Sequence, residues 1–220
     1  MNADWGTLGP TFLTAIGQTL WMVLVTMLIG GLLGLVLGIL LYTTRRGGLL
    51  ANRVVFTVLN VLVNIIRPIP FIIFITAIGP LTIAVVGTQL GTTAATFALI
   101  LAAIFGISRI VEQNLVTIDP GVIEAARAMG ASPMRIIRTL LVPEALGPLI
   151  LGYTFIFVAV VDMTAVAGAV GAGGLGDFAI TYGYHRFNWV VTGIAVVTII
   201  VLVQAAQFLG NWLARKALRR

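Results

Sequence analysis

The chain has no cysteine, a single histidine and a single lysine among its 220 residues. Without cysteine there is no disulfide framework and no thiolate metal site. One histidine, His185, cannot assemble a metal cluster, so no metal site is expected. Serine is scarce, and no nucleophile–base pairing offers a catalytic constellation. The lysine, Lys216, precedes Ala217, whereas a phosphate-binding P-loop needs Gly-Lys followed by Ser or Thr. The chain is therefore expected to bind no cofactor and to be no enzyme. Charge is short as well, at 9% of residues. The basic residues flank apolar runs and form no continuous stripe, which argues against nucleic acid as a partner. A signal peptide is not expected either. It needs a basic n-region, and Asp4 is the only charged side chain before the first apolar run.

What the chain has instead is hydrophobicity: 60% of residues, with a mean hydropathy of +1.11. That composition implies an all-α, multispanning membrane protein, with residues 1–220 as one transmembrane domain and the lipid bilayer as its solvent. Five spans are expected, at about 17–42, 52–77, 92–110, 148–167 and 189–209, each scaled to the roughly 30 Å hydrocarbon core. In the first, Gly30, Gly34 and Gly38 recur every four residues and leave a smooth strip for close helix packing. The second carries Thr57, Asn60, Asn64 and Arg67 on one helical face and is then interrupted by Pro68 and Pro70. A stripe ending in an arginine is costly in lipid, about 2.5–3.5 kcal/mol for a centred arginine. It should face the bundle interior or a wet cavity. Asn60 and Asn64 alone read more simply as bonds to neighbouring helices. Arg67, with Pro70, is placed near a pathway or gate. Asp162 lies inside the fourth span. Arg67 is about 14 residues in from the inner face and Asp162 about 15, both roughly 20 Å deep. They are expected to pair, within one chain or across a dimer.

Between the third and fourth spans lies a polar island. Eight charged residues fall between Arg109 and Pro148. Arg109 and Glu112 mark the exit of the third span and are spaced to pair. Asp119 and Pro120 form a cap-plus-proline helix start, Glu124 to Met129 are mostly strong helix formers, and Gly130 suits a left-handed stop. Ser132 and Pro133 repeat the start, and a second short helix runs toward Pro143. Val122, Ile123, Ala126 and Met129 lie near one face. Such a helix pair suits a groove on a partner and suits the bilayer surface equally well.

The island resembles a known family. Glu124-Ala125-Ala126, Gly130 four residues on, and Leu140-Leu141-Val142-Pro143 look like the EAA loop of ABC importer permeases. The family pattern carries Ile and Leu-Pro at its end, and the swaps here are mild and apolar. Asn64 to Phe71 and Gly168 to Gly176 resemble the methionine-importer permeases in particular. The resemblance implies a type I ABC importer permease fold, with residues at about 119–143 as a cytoplasmic coupling helix pair docked on an ATPase. Glu124, Ala125, Ala126, Met129 and Gly130 would shape that contact. Asn60, Asn64, Arg67, Pro70 and Asp162 would line or gate the route. It further implies a homodimer over two ATPase copies that carry the ATP-Mg, and a substrate-binding protein docking outside. Asp162 is no part of the family motif.

The loop from Gly168 to Asn188 contains Gly171, Gly173, Gly174 and Gly176, and the run from Gly171 to Gly176 matches the dinucleotide fingerprint G-x-G-x-x-G through Gly171, Gly173 and Gly176. No strand precedes it and no βαβ unit surrounds it, so that match is rejected. The glycines are expected to give a tight re-entrant turn. Tyr182, Tyr184, His185, Arg186 and Phe187 suit a partner protein or a headgroup layer. Trp189 and Trp212 bracket the fifth span as interface anchors.

Charge sets the orientation. The first loop, the island and the basic tail (Arg215, Lys216, Arg219, Arg220) hold three, four and four of the 13 Lys and Arg. Placing all of these inside puts the N-terminus out and the C-terminus in, in a bacterial plasma (inner) membrane. An importer for another amino acid or an osmolyte, an ATP-independent carrier using Arg67 and Asp162, and a transport-inactive scaffold are the competing readings.

Overall fold

The computed structural model describes residues 5–218, so Asp4, Arg219 and Arg220 lie outside the described residues. Every regular element among the described residues is helical. The chain runs α1 (Trp5–Val25), a π turn (Thr26–Gly30) and α2 (Gly31–Thr44) as one near-continuous rod. Then come α3 (Arg53–Ile66), α4 (Phe71–Ala77), α5 (Gly79–Val86) and α6 (Thr92–Val116). The polar island supplies α7 (Pro120–Ala128), α8 (Pro133–Ile136), a π turn (Ile137–Leu141) and α9 (Val142–Glu144). The chain closes with α10 (Leu146–Gly168), α11 (Gly174–Phe178), a π turn (Ala179–Gly183) and α12 (Trp189–Leu218). Among the described residues four helices are long and apolar enough to cross a membrane, and the bent α3–α4 pair makes five if it counts as one span.

Several expected boundaries move. The first span begins near Gly6 rather than Gly17 and runs 39 residues. At about 1.5 Å per residue it far exceeds a roughly 30 Å core, so one end must project. Pro10 and two glycines make the segment before Gly17 look non-helical, but packing overrides propensity there. Ala15 is buried, and the Phe12 ring lies 5.3 Å from that of Phe178. The third span runs to Val116 instead of 110, and the fifth to Leu218 instead of 209. Charged residues end a hydropathy window, yet Glu, Gln, Ala, Arg and Lys prolong a helix. Between the expected second and third spans, α5 begins at Gly79 with Pro80 in its first turn, and Gly87, at φ +87°, ends it. The second helix of the island does not stop at Pro143. That proline opens α9, where a missing N–H is harmless, and the chain runs on into α10.

The hub is α6. In its most apolar stretch half the residues are buried, against 11% for α12, which therefore lies at the rim. The glycine strip explains how α2 reaches the hub. A Cβ on Gly30 would stand 3.1 Å from the Ala103 Cβ, on Gly34 2.7 Å from the Ile107 Cβ, and on Gly38 2.5 Å from the Val111 Cβ. Three glycines spaced by four thus meet three α6 residues spaced by four, and any side chain would push the helices apart. Backbone proximity of this kind is what associates helices where lipid removes the hydrophobic drive. Large apolar side chains such as Leu13, Leu28, Phe155 and Phe208 point outward, as a lipid-facing surface requires.

Candidate functional site

The polar island is built as its residues direct. The Asp119 side chain accepts a 2.8 Å bond from the Gly121 N–H and caps α7. Gly130 takes φ +77°, and the Ala131 N–H donates back to the Ala126 carbonyl at 3.1 Å, a Schellman-type stop. Ser132 sits at the cap of α8 but forms no side-chain cap bond, so Pro133 alone sets that start. The expected single apolar face divides in two. Ala126 is buried and Ile123 packs against the main core, whereas Val122 is exposed and Met129 is 81% exposed. Glu124, Ala125 and Arg127 are exposed too. The inward half fastens α7 to the bundle and leaves Met129 and the charges on the outward half. On one side of α7 a groove runs between Glu124, Arg127 and the first loop (Arg45, Gly48). There Arg45 stacks 4.2 Å above the buried Tyr42 ring. A second groove separates α7 from α8, between Met129, Arg135 and Thr139.

The polar stripe of α3 finds a partner that its spacing does not reveal. Arg109 on α6 pairs with Glu112 at 2.6 Å and donates to the Asn60 and Asn64 side-chain oxygens, each at 3.3 Å. The Asn64 amide also donates to Asn60 at 3.3 Å. Arg109 and Glu112 do not mark the helix exit, since α6 continues to Val116. They form a crosslink from α6 to α3. The Arg109–Glu112 pairing is legible from spacing, while the Asn60–Asn64 contribution needs the fold.

The expected pairing of Arg67 with Asp162 does not occur within the chain. Among the described residues Arg109–Glu112 is the only salt bridge. Arg67 caps the C-terminal end of α3 where the chain bends by 109° into α4 across Pro68 and Pro70. The second span is therefore interrupted at the two prolines, as their positions predict, and resumes as α4 to Ala77. Equal depth along two spans fixes height alone, and azimuth decides contact. Asp162 and Arg67 are both exposed, and Arg67 borders a cavity of about 220 Å³ between α3, α4, α6 and α10.

At the far end of α10 the glycine-rich segment is a tight turn. Gly171, Gly173 and Gly174 all have φ between +79° and +87°. A Cβ on Gly168 would meet the Asp177 backbone nitrogen, and one on Gly176 the Ala165 carbonyl. The Gly174 and Leu175 amides donate to Gln18 and Thr19 of α1, each at 2.8 Å. This polar pair inside an apolar run was the available signal for that anchor. Beyond the turn Arg186 lies 4.9 Å over Tyr182, and Tyr184 contacts His185 and Trp189, with Phe187 exposed.

Comparison with known proteins is decisive on the family. Residues 30–219 match the family described as the binding-protein-dependent transport system inner membrane component. The chain belongs to that family. It is therefore a component of an inner-membrane transport system, and its apolar helices make it multi-pass. Among relatives of this transport component, a probable D-methionine transport system permease protein (MetI) of Vibrio cholerae is 44% identical over 215 residues, covering 97% of this chain and 96% of that one. The methionine import system permease protein MetP of Bacillus subtilis is 42% identical over 78% of each chain. A chain from an inward-facing structure of the MetNI methionine ABC transporter superposes with a TM-score of 0.94 at 39% identity, over 98% of this chain and 99% of that one. The transport component thus shares its fold with a chain of the MetNI methionine ABC transporter.

Proposed function

We propose that this chain is the permease subunit of an ATP-driven methionine importer. It works as a homodimer with its N-terminus outside and its C-terminus in the cytoplasm, as the distribution of basic residues favours. The observation carrying this reading is α7. It is a capped helix on an inner-membrane transport component, fastened by Ala126 and Ile123 and presenting Met129 outward. An exposed methionine beside charged residues suits insertion into a cleft of a second polypeptide.

In this mechanism two copies of a cytoplasmic ATPase supply the work, with ATP-Mg held on them. Closure of the ATPase pair draws the two α7 helices together, and the spans rock from inward-open to outward-open. A substrate-binding protein delivers solute at the outer face, near the Gly168–Gly176 turn. Hydrolysis restores the inward state. Glu124, Ala125, Ala126, Met129 and Gly130 shape the docking knuckle. Asn60, Asn64, Arg67, Pro70 and Asp162 line or gate the route.

The test is reconstitution of the permease with its ATPase and binding protein in proteoliposomes. Met129→Asp should lower ATP-driven methionine uptake at least tenfold while leaving thermal stability within about 0.5 kcal/mol, since an exposed side chain away from the core contributes little. Uptake by the permease without any ATPase, or full uptake by Met129→Asp together with Glu124→Lys, would refute the reading.

A further inference from the structure

Arg67 lies at the end of 14 helical residues of α3, roughly 21 Å along a span at about 1.5 Å per residue. Within a bilayer core of about 30 Å that is a deep position for a guanidinium. Its side chain has no ion pair and no hydrogen bond among the described residues. Both α3 asparagines and the acid on α6 are committed to Arg109. Asp162 does not border the cavity that Arg67 faces.

That cavity has one charge and otherwise apolar walls. Ile66 and Phe71 close it from the bend, Gly106 forms its floor on α6, and Ile156 and Met163 face it from α10. At about 220 Å³ it falls below the roughly 300–1,000 Å³ of pockets for drug-sized ligands, so it suits a smaller solute. A planar guanidinium matches a carboxylate in two-pronged geometry. Aromatic and aliphatic walls match a flexible unbranched chain and favour sulfur near ring edges. A Cβ on Gly106 would sit 3.5 Å from Ile156 Cδ1, so the floor tolerates alanine and is blocked by anything larger.

We propose that this cavity is a solute site in the permease itself. Arg67 takes the carboxylate of an amino acid, and the Phe71–Gly106–Ile156–Met163 walls take its linear apolar side chain. The proposal rests on the importer reading and adds a selective step inside the membrane. The competing source of a carboxylate is Asp162 of a second copy.

The experiment uses the purified permease–ATPase complex without binding protein, in nanodiscs, with radiolabelled methionine as probe and methioninol as the competitor lacking a carboxylate. Wild type should bind methionine at least tenfold more tightly than methioninol. Arg67→Gln should abolish that preference, Arg67→Lys should retain part of it, and Gly106→Leu should abolish binding of both. All three complexes should keep the wild-type elution profile and a cooperative thermal unfolding transition, which separates site loss from misfolding. An unchanged preference in Arg67→Gln overturns the proposal. So does restoration of ATP-driven uptake by Arg67→Asp combined with Asp162→Arg, which would mean an ion pair between copies. Absence of ATP-driven methionine uptake by the complete wild-type importer would refute the importer reading itself, a separate outcome.

Discussion

Arg109 on α6 and Arg67 at the C-terminal end of α3 lie along two membrane-spanning segments, and their surroundings are opposite. Arg109 is held by Glu112, Asn60 and Asn64. Arg67, one helical turn beyond Asn64, has no side-chain partner among the described residues and opens onto an apolar cavity. The same residue type, at neighbouring depths, is satisfied in one place and left available in the other. Composition alone would treat them alike, as costly charges in lipid. Once partners are counted, Arg109 belongs to the scaffold that fixes α3 against α6, and Arg67 to whatever enters the cavity.

The comparison breaks most decisively at Glu112. Its side chain is 12% exposed, and that of Arg109 25%. Glu112→Ala strands a mostly enclosed guanidinium and should destabilise the folded chain by about 3 kcal/mol, the low end for a broken buried pair because Arg109 keeps some contact with solvent. Thermal unfolding of the purified protein in detergent measures this. Adding Arg109→Gln should recover most of the loss, since removing both charges leaves none unpaired. If the double variant is as unstable as Glu112→Ala, Arg109 contributes through packing and not through charge.

Residues whose partners are local in sequence were legible in advance. Asp119, Pro120 and Gly130 bound α7 through bonds spanning two to five residues, and caps of that kind follow from residue type. Gly30, Gly34 and Gly38 announced a packing face by period alone, though not that α6 fills it. Pro68 and Pro70 marked a break but not its 109° angle. The site was harder to read. The Arg67–Asp162 pairing was inferred from matched depth, and two helices at equal depth still differ in the direction their side chains point. The Arg109 link to Asn60 and Asn64 spans 49 and 45 residues, a separation at which spacing rules carry no information. Helix ends past the lipid were missed because hydropathy reports the solvent and not the backbone.

A smaller effect sharpens the same contrast from the α3 side. Asn60→Ala and Asn64→Ala each remove one bond to Arg109 while Glu112 still neutralises it. Polar contacts between membrane helices average about 0.6 kcal/mol, so each variant should cost about that much, and the pair about twice it. A loss above about 3 kcal/mol for either alone would mean that the asparagines, not Glu112, hold the guanidinium in place.

The smallest expected effect is the most informative. Arg67→Gln removes a charge that no side chain among the described residues answers, so unfolding in detergent should shift by less than about 0.5 kcal/mol, or move toward greater stability. A structural arginine cannot behave that way: its removal would leave a carboxylate or amide unpaired and lower the stability in proportion. Near-zero change in stability combined with lost methionine preference would place Arg67 outside the scaffold altogether. A drop comparable to that of Glu112→Ala would put both arginines in one class and erase the distinction between held and available charge on which the cavity's role depends.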